Sequence, residues 1–170
     1  MAGYGLPNEQ HLSVVLQNSL ETEGYKIEIV NGSVSGSTSS GGLNIAEWTL
    51  SESNIDLMIL CLGANDMLRG INPKETKNNL EEIIKIAKNK NIKVIIAGMI
   101  APTSYGSNYK KSFDKIFYDL SKKYKLQLIP FLLEGVAQKP EFNLSDGMHP
   151  NDQGTIIIGN TLKNAILENL

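Results

Sequence analysis

Two apolar runs of strand length, residues 55–62 and 92–98, stand on either side of an amphipathic stretch that opens at Pro73. Near-continuous apolar runs read as strands covered on both faces, and a helical segment between two such strands is what a parallel sheet requires. The alternation continues along the chain. Residues 8–23 place Leu12, Val15, Leu16, Ser19 and Leu20 on one helical face. Residues 26–30 form a short β-type run, followed by a Gly/Ser-rich loop over 31–42 and a short helix near 43–51. In the stretch after Pro73, Leu80, Ile83, Ile84 and Ala87 mark a buried stripe, and proline suits a first helical position because its missing N–H is unneeded there. A helix over 107–124 with Phe113, Ile116, Phe117 and Leu120 inward, a strand over 126–129 and a last helix over 151–170 complete the pattern. In that last helix Ile158, Leu162, Ala165 and Ile166 face inward. The expected fold class is α/β, a parallel sheet sandwiched by helices, in one domain over 1–170.

Composition narrows the function classes. With 170 residues, 41% hydrophobic and 20% charged, the chain reads as globular with a core of its own. A formal net charge of −2 argues against nucleic acid or anionic lipid as a partner. Lys85, Lys88, Lys90 and Lys93 alternate with apolar or neutral positions, as on a solvated face. The lone Cys61 sits in an apolar run and reads as a small buried hydrophobe, and two histidines, His11 and His149, do not make a multi-histidine metal centre. The longest apolar stretches are too short to span a bilayer, so no integral membrane segment is expected.

In open α/β sheets chemistry gathers at the carboxyl ends of strands. Three segments in such places hold unusual residues: Asn31-Gly-Ser-Val-Ser-Gly36-Ser-Thr38, Gly63-Ala-Asn65-Asp66, and Asp146-Gly-Met-His149-Pro150. A carboxylate three residues before an imidazole on a tight turn can accept from Nδ1–H. That leaves Nε2 free to take a proton and stabilises the imidazolium that results. Asn65 offers a neutral amide donor, and Gly36, without a Cβ, lets a substrate carbonyl approach its backbone N–H. Two such donors aimed at one oxygen make an oxyanion hole, each worth about 3 kcal/mol of barrier. Taken singly, Asp146 reads better as a helix cap beside a surface His149, Gly36 and Asn65 as turn formers, and Asp66 as a cap. Their conjunction on three successive segments favours the chemical reading. Arg69 is expected to anchor the loop after Asn65 through a salt bridge. Trp48, Tyr105 and Tyr109 either line an acyl pocket or pack, and His11 falls on the polar side of the first helix.

These three blocks, in this order, resemble those of the SGNH, or GDSL-type, esterase/lipase family. With Leu68-Arg69-Gly70 after the Asn65 block, the wording is most similar to the bacterial acyl-thioesterase/lysophospholipase/arylesterase branch. The resemblance covers nearly the whole chain. It implies a flavodoxin-like, three-layer α/β/α fold. It also implies a Ser-His-Asp triad in which Asp146 orients His149, and an oxyanion hole from Gly36, Asn65 and the serine's own N–H. The substrates implied are small-molecule carboxylic esters or thioesters, with no cofactor and no metal. In that branch Gly-Asp-Ser-Leu is followed by one residue and then Ala-Gly-Tyr-Gly-Leu-Pro, whereas this sequence opens Met1-Ala-Gly-Tyr4-Gly-Leu-Pro7. The nucleophilic serine and the first strand are therefore expected upstream of Met1, and the short form is expected to be inactive. Relatives of this branch are often exported to the periplasm.

Two other readings stay open. One is a module that holds an acyl or ester ligand without turnover. The other is a nucleotide binder, which lacks support because no Gly-x-Gly-x-x-Gly or Gly-Lys-Ser/Thr is present. Ser33, Ser35, Ser37, Ser104 and Ser145 lie in ordinary turns without a nucleophile elbow.

Overall fold

A computed structural model describes residues 2–51 and 54–170; Met1, from which the offset to Gly-Asp-Ser-Leu is counted, lies outside them. The chain forms two compact units, Met1–Ser35 with Leu132–Leu170, and Gly36–Phe131.

The Gly36–Phe131 unit holds the sheet. Its elements are α2 (Ser39–Thr49), β1 (Leu57–Leu60), α3 (Ala64–Leu68), α4 (Pro73–Asn89), β2 (Lys93–Ala97), α5 (Ser107–Tyr124) and β3 (Gln127–Ile129). The strands run parallel in the order β1-β2-β3, with Leu57 opposite Lys93 and Ala97 opposite Ile129. Val94–Ala97 are all buried, so the central strand is covered on both faces as its unbroken apolar run predicts. β1 departs from that expectation. It lies at the sheet edge, where Leu57, Met58 and Ile59 are half-buried and Leu60 alone is buried. Cys61, next in line, is half-buried rather than enclosed.

The helices obey their stripes. Asn72 caps α4 by accepting from the Lys74 N–H, Pro73 occupies the first turn, and Leu80, Ile83, Ile84 and Ala87 are buried. On α5, Phe113, Ile116, Phe117 and Leu120 are all at most 1% exposed. Salt bridges from Lys77 to Asp119 and from Lys123 to Glu81 join α4 and α5.

The second unit is helical. It packs α1 (Leu12–Thr22) against α6 (Asp152–Leu167) through Leu12, Leu16 and Leu20 on one side and Ile158, Leu162, Ala165 and Ile166 on the other. Residues 26–30 do not form the expected strand. Their period of two survives, with Ile27 and Ile29 half-buried and their neighbours exposed, but among the described residues no strand pairs with them. A side chain takes the partner's place: Gln17 donates from Nε2 to the Ile27 carbonyl at 2.7 Å, and its Oε1 accepts from the Ile29 N–H at 2.7 Å. One amide thus satisfies two of the segment's backbone groups, the Ile27 carbonyl and the Ile29 N–H.

Candidate functional site

The residues that the sequence singles out fall into two groups, one in each unit.

In the Gly36–Phe131 unit, Gly36, Asn65 and Arg69 are tied together. The Gly63-Ala-Asn65-Asp66 segment runs into the short helix α3, and Asn65 and Asp66 lie in its first turn. The Asn65 Nδ2 donates to the Ser37 carbonyl at 3.0 Å. An amide nitrogen carries two hydrogens, so one remains for another acceptor. Gly36 has φ +73°, a left-handed conformation that L side chains resist, and a Cβ there would meet nothing closer than the Arg69 guanidinium at 3.8 Å. Backbone conformation, more than crowding, therefore calls for glycine. Arg69 donates from Nη2 to the Gly36 carbonyl at 2.9 Å, and this hydrogen bond stands where a salt bridge was expected.

Asp66 is the residue that sequence reasoning undervalued. It is fully buried and accepts from the Ser39 N–H at 2.7 Å, from the Ser39 hydroxyl, and from the Thr76 hydroxyl at 3.1 Å. Asn79 in turn donates to the Ser39 hydroxyl at 3.0 Å. Asp66 thus caps the first turn of α2 from a different helix and joins α2, α3 and α4. A buried carboxylate is tolerated when hydrogen-bonded in this way. The sequence signal was available in its adjacency to Asn65, but nothing local names Ser39 as partner.

In the other unit, Asp146 and His149 meet. The Asp146 Oδ1 accepts from the Met148 N–H at 2.8 Å and the His149 N–H at 2.9 Å, while Oδ2 lies 2.7 Å from the His149 Nδ1. The His149 N–H, then the imidazole, then the Met148 N–H hold the Asp146 carboxyl down at about 2. Helix capping falls to another residue: Asn151 caps α6 through the Gly154 N–H. The loop is closed at its base, where Asn143 bridges Pro150 and the Leu144 N–H donates to the His149 carbonyl at 2.7 Å. The buried Asn143 amide reaches the Val136 and Lys139 carbonyls at 2.8 and 2.7 Å. No pattern in the sequence points to Asn143.

The arrangement has two chemical capacities. An imidazole held through Nδ1 by a carboxylate presents Nε2 as a proton acceptor. A left-handed glycine beside an amide with one spare hydrogen presents neutral donors.

The aromatic residues pack. Tyr105 stacks on Tyr109 and Tyr109 on Phe113, while the Tyr109 hydroxyl donates to the Ile71 carbonyl at 2.9 Å. Trp48 stands 78% exposed on α2. His11 is not on a helical face but precedes α1, with Nε2 3.1 Å from the Leu6 carbonyl.

Comparison with known proteins places the chain in a family. The profile of the GDSL-like Lipase/Acylhydrolase family matches residues 1–155. An arylesterase of Vibrio mimicus is 36% identical over 152 residues, covering 89% of this chain and 76% of that protein. The thioesterase 1/protease 1/lysophospholipase L1 of Escherichia coli K12 is 32% identical over 150 residues, covering 88% and 71%. The crystal structure of the psychrotrophic esterase EstA from Pseudoalteromonas sp., inhibited by monoethylphosphonate, superposes with a TM-score of 0.93 at 29% identity, covering 98% of this chain and 91% of that one. The fold class shared with these neighbours is three-layer α/β/α with a parallel sheet. The chain belongs to the GDSL-like lipase and acylhydrolase family.

Proposed function

We propose that this protein is a serine esterase that hydrolyses carboxylic esters or thioesters through an acyl-serine intermediate, with His149 as general base. The observation that carries the reading is the Asp146 carboxylate, which accepts two backbone N–H groups and the imidazole Nδ1 within 2.9 Å. The two backbone bonds fix the carboxylate, and the carboxylate fixes the ring. Nε2 takes the proton of the attacking hydroxyl and returns it to the leaving alkoxide or thiolate, while Asp146 stabilises the imidazolium between the two transfers. The Gly36 N–H and the free Asn65 hydrogen stabilise the oxyanion of the tetrahedral intermediate. Water then attacks the acyl-serine by the same route in reverse roles. The printed activities of the relatives, arylesterase and thioesterase/lysophospholipase, support the substrate class.

Hydrolysis of short-chain p-nitrophenyl esters tests the proposal. In protein produced from the gene at its native locus, replacing His149 with Ala is expected to lower kcat on the order of 10⁶-fold; unchanged turnover between that protein and its variant overturns the proposal. Mapping the residue labelled by a fluorophosphonate identifies the nucleophile. Ligand-induced stabilisation without label or turnover would favour an acyl-binding module instead.

A further inference from the structure

We propose that Tyr4 is a positioning residue for His149, resting on the reading of His149 as the base. The Tyr4 ring lies against the imidazole, centroids 4.4 Å apart and planes 34° from each other. The residue is 59% exposed, and among the described residues its hydroxyl has no hydrogen-bond partner. Neither burial nor a polar contact accounts for an aromatic side chain here. Its contact with His149 does.

The ring is delivered by a braced turn. The Leu6 N–H donates to the Gly3 carbonyl at 3.1 Å, which places Tyr4 at the tip. On one side the turn rests on His11, whose Nε2 holds the Leu6 carbonyl at 3.1 Å. Gly3 has φ +69°, and a Cβ there would fall 2.1 Å from the His11 ring, so glycine is required twice over. On the other side a Cβ at Gly5 would fall 2.8 Å from the Leu144 Cδ1. Leu144 is the residue whose N–H holds the His149 carbonyl. The turn therefore meets the base's own loop at two points, backbone and ring.

The physical need is clear from the exposure of the pair. The His149 and Asp146 side chains are 41% and 39% exposed, and a hydrogen bond that open to water competes with solvent for the ring. An aromatic face on one side of the imidazole removes the rotations that would swing Nδ1 off the carboxylate, and it attracts the ring when it carries charge. The facing titratable groups are Asp146 and Tyr4 itself; His11 touches the turn from beneath.

Imidazole nitrogen NMR on the 170-residue chain tests the assignment without needing turnover. At alkaline pH, where imidazole is neutral, the wild type and Tyr4→Phe should show His149 predominantly as the Nδ1–H tautomer. Tyr4→Ala should lower the ratio of Nδ1–H to Nε2–H roughly three- to tenfold, the size of one aromatic contact. An unchanged ratio in Tyr4→Ala overturns the role of Tyr4 and leaves the base assignment to the ester assay. A Tyr4→Phe spectrum that matches Tyr4→Ala also overturns it, because the hydroxyl would then be the active part. If the wild type itself lacks the Nδ1–H preference, the Asp146–His149 reading fails first.

Discussion

At the scale of single residues, the Asp146 oxygens divide their work: Oδ1 holds two backbone N–H groups and Oδ2 holds the ring. The carboxyl is depressed from 3.8 to about 2, so the folded loop is favoured by ionisation. The sign follows from linkage. The contribution is complete above the ordinary carboxylate range and is lost as pH falls through about 2. A carbon-13 titration of the Asp146 carboxyl should therefore show a midpoint near 2, and a midpoint near 3.8 would mean that the three bonds do not persist in solution. Asp146→Asn keeps an acceptor for the backbone but turns an N–H toward Nδ1, so the ring changes tautomer; kcat should drop roughly 10⁴-fold. The Asp146–His149 contact was foreshadowed by their spacing of three on a tight turn, which allows it. Arg69 was half legible: its anchoring role holds, but its partner is the Gly36 carbonyl, which no charge pattern reveals.

At the scale of elements, periodicity located α4, α5 and α6 and the inner strand β2 well, since each buries a continuous stripe or run. It failed where pairing, rather than pattern, decides. Residues 26–30 alternate like a strand, yet the Ile27 carbonyl and the Ile29 N–H are bonded to the Gln17 amide. Position in the sheet, which the sequence does not contain, likewise left β1 half-buried at an edge. The short helix α3 was missed because five residues show no period, and the network beneath it was missed because Ser39, Thr76 and Asn79 reach Asp66 from other helices. Asp66→Ala should cost about 3 kcal/mol in denaturant unfolding, since it strands buried donors. It should also lower ester turnover through Asn65, its neighbour on α3. A loss below about 0.5 kcal/mol would show that water replaces the carboxylate. Gln17→Ala should leave α1 intact while amide exchange at Ile29 accelerates, because that N–H loses its acceptor.

At the scale of the whole molecule, each unit has its own apolar centre, one around the paired helices and one around the sheet. The expectation of a single domain translates into one calorimetric transition for the chain, whereas two resolved transitions would show that the centres melt separately. Membership of the family was legible from three short blocks because their order and residue types are specific. The packed aromatic column from Tyr105 to Phe117 was not, since stacking and pocket-lining leave the same sequence trace. The central claim is that His149 serves as the base of an ester-hydrolysing site, and one measurement bears on it most directly. The gene at its native locus, with and without His149→Ala, would supply protein for fluorophosphonate labelling followed by intact mass. The account predicts one covalent adduct on a serine of the wild-type protein and labelling slowed at least a thousandfold, roughly, in the variant, because an unactivated hydroxyl is a weak nucleophile. Equal labelling of both proteins, or no adduct on either, would contradict it.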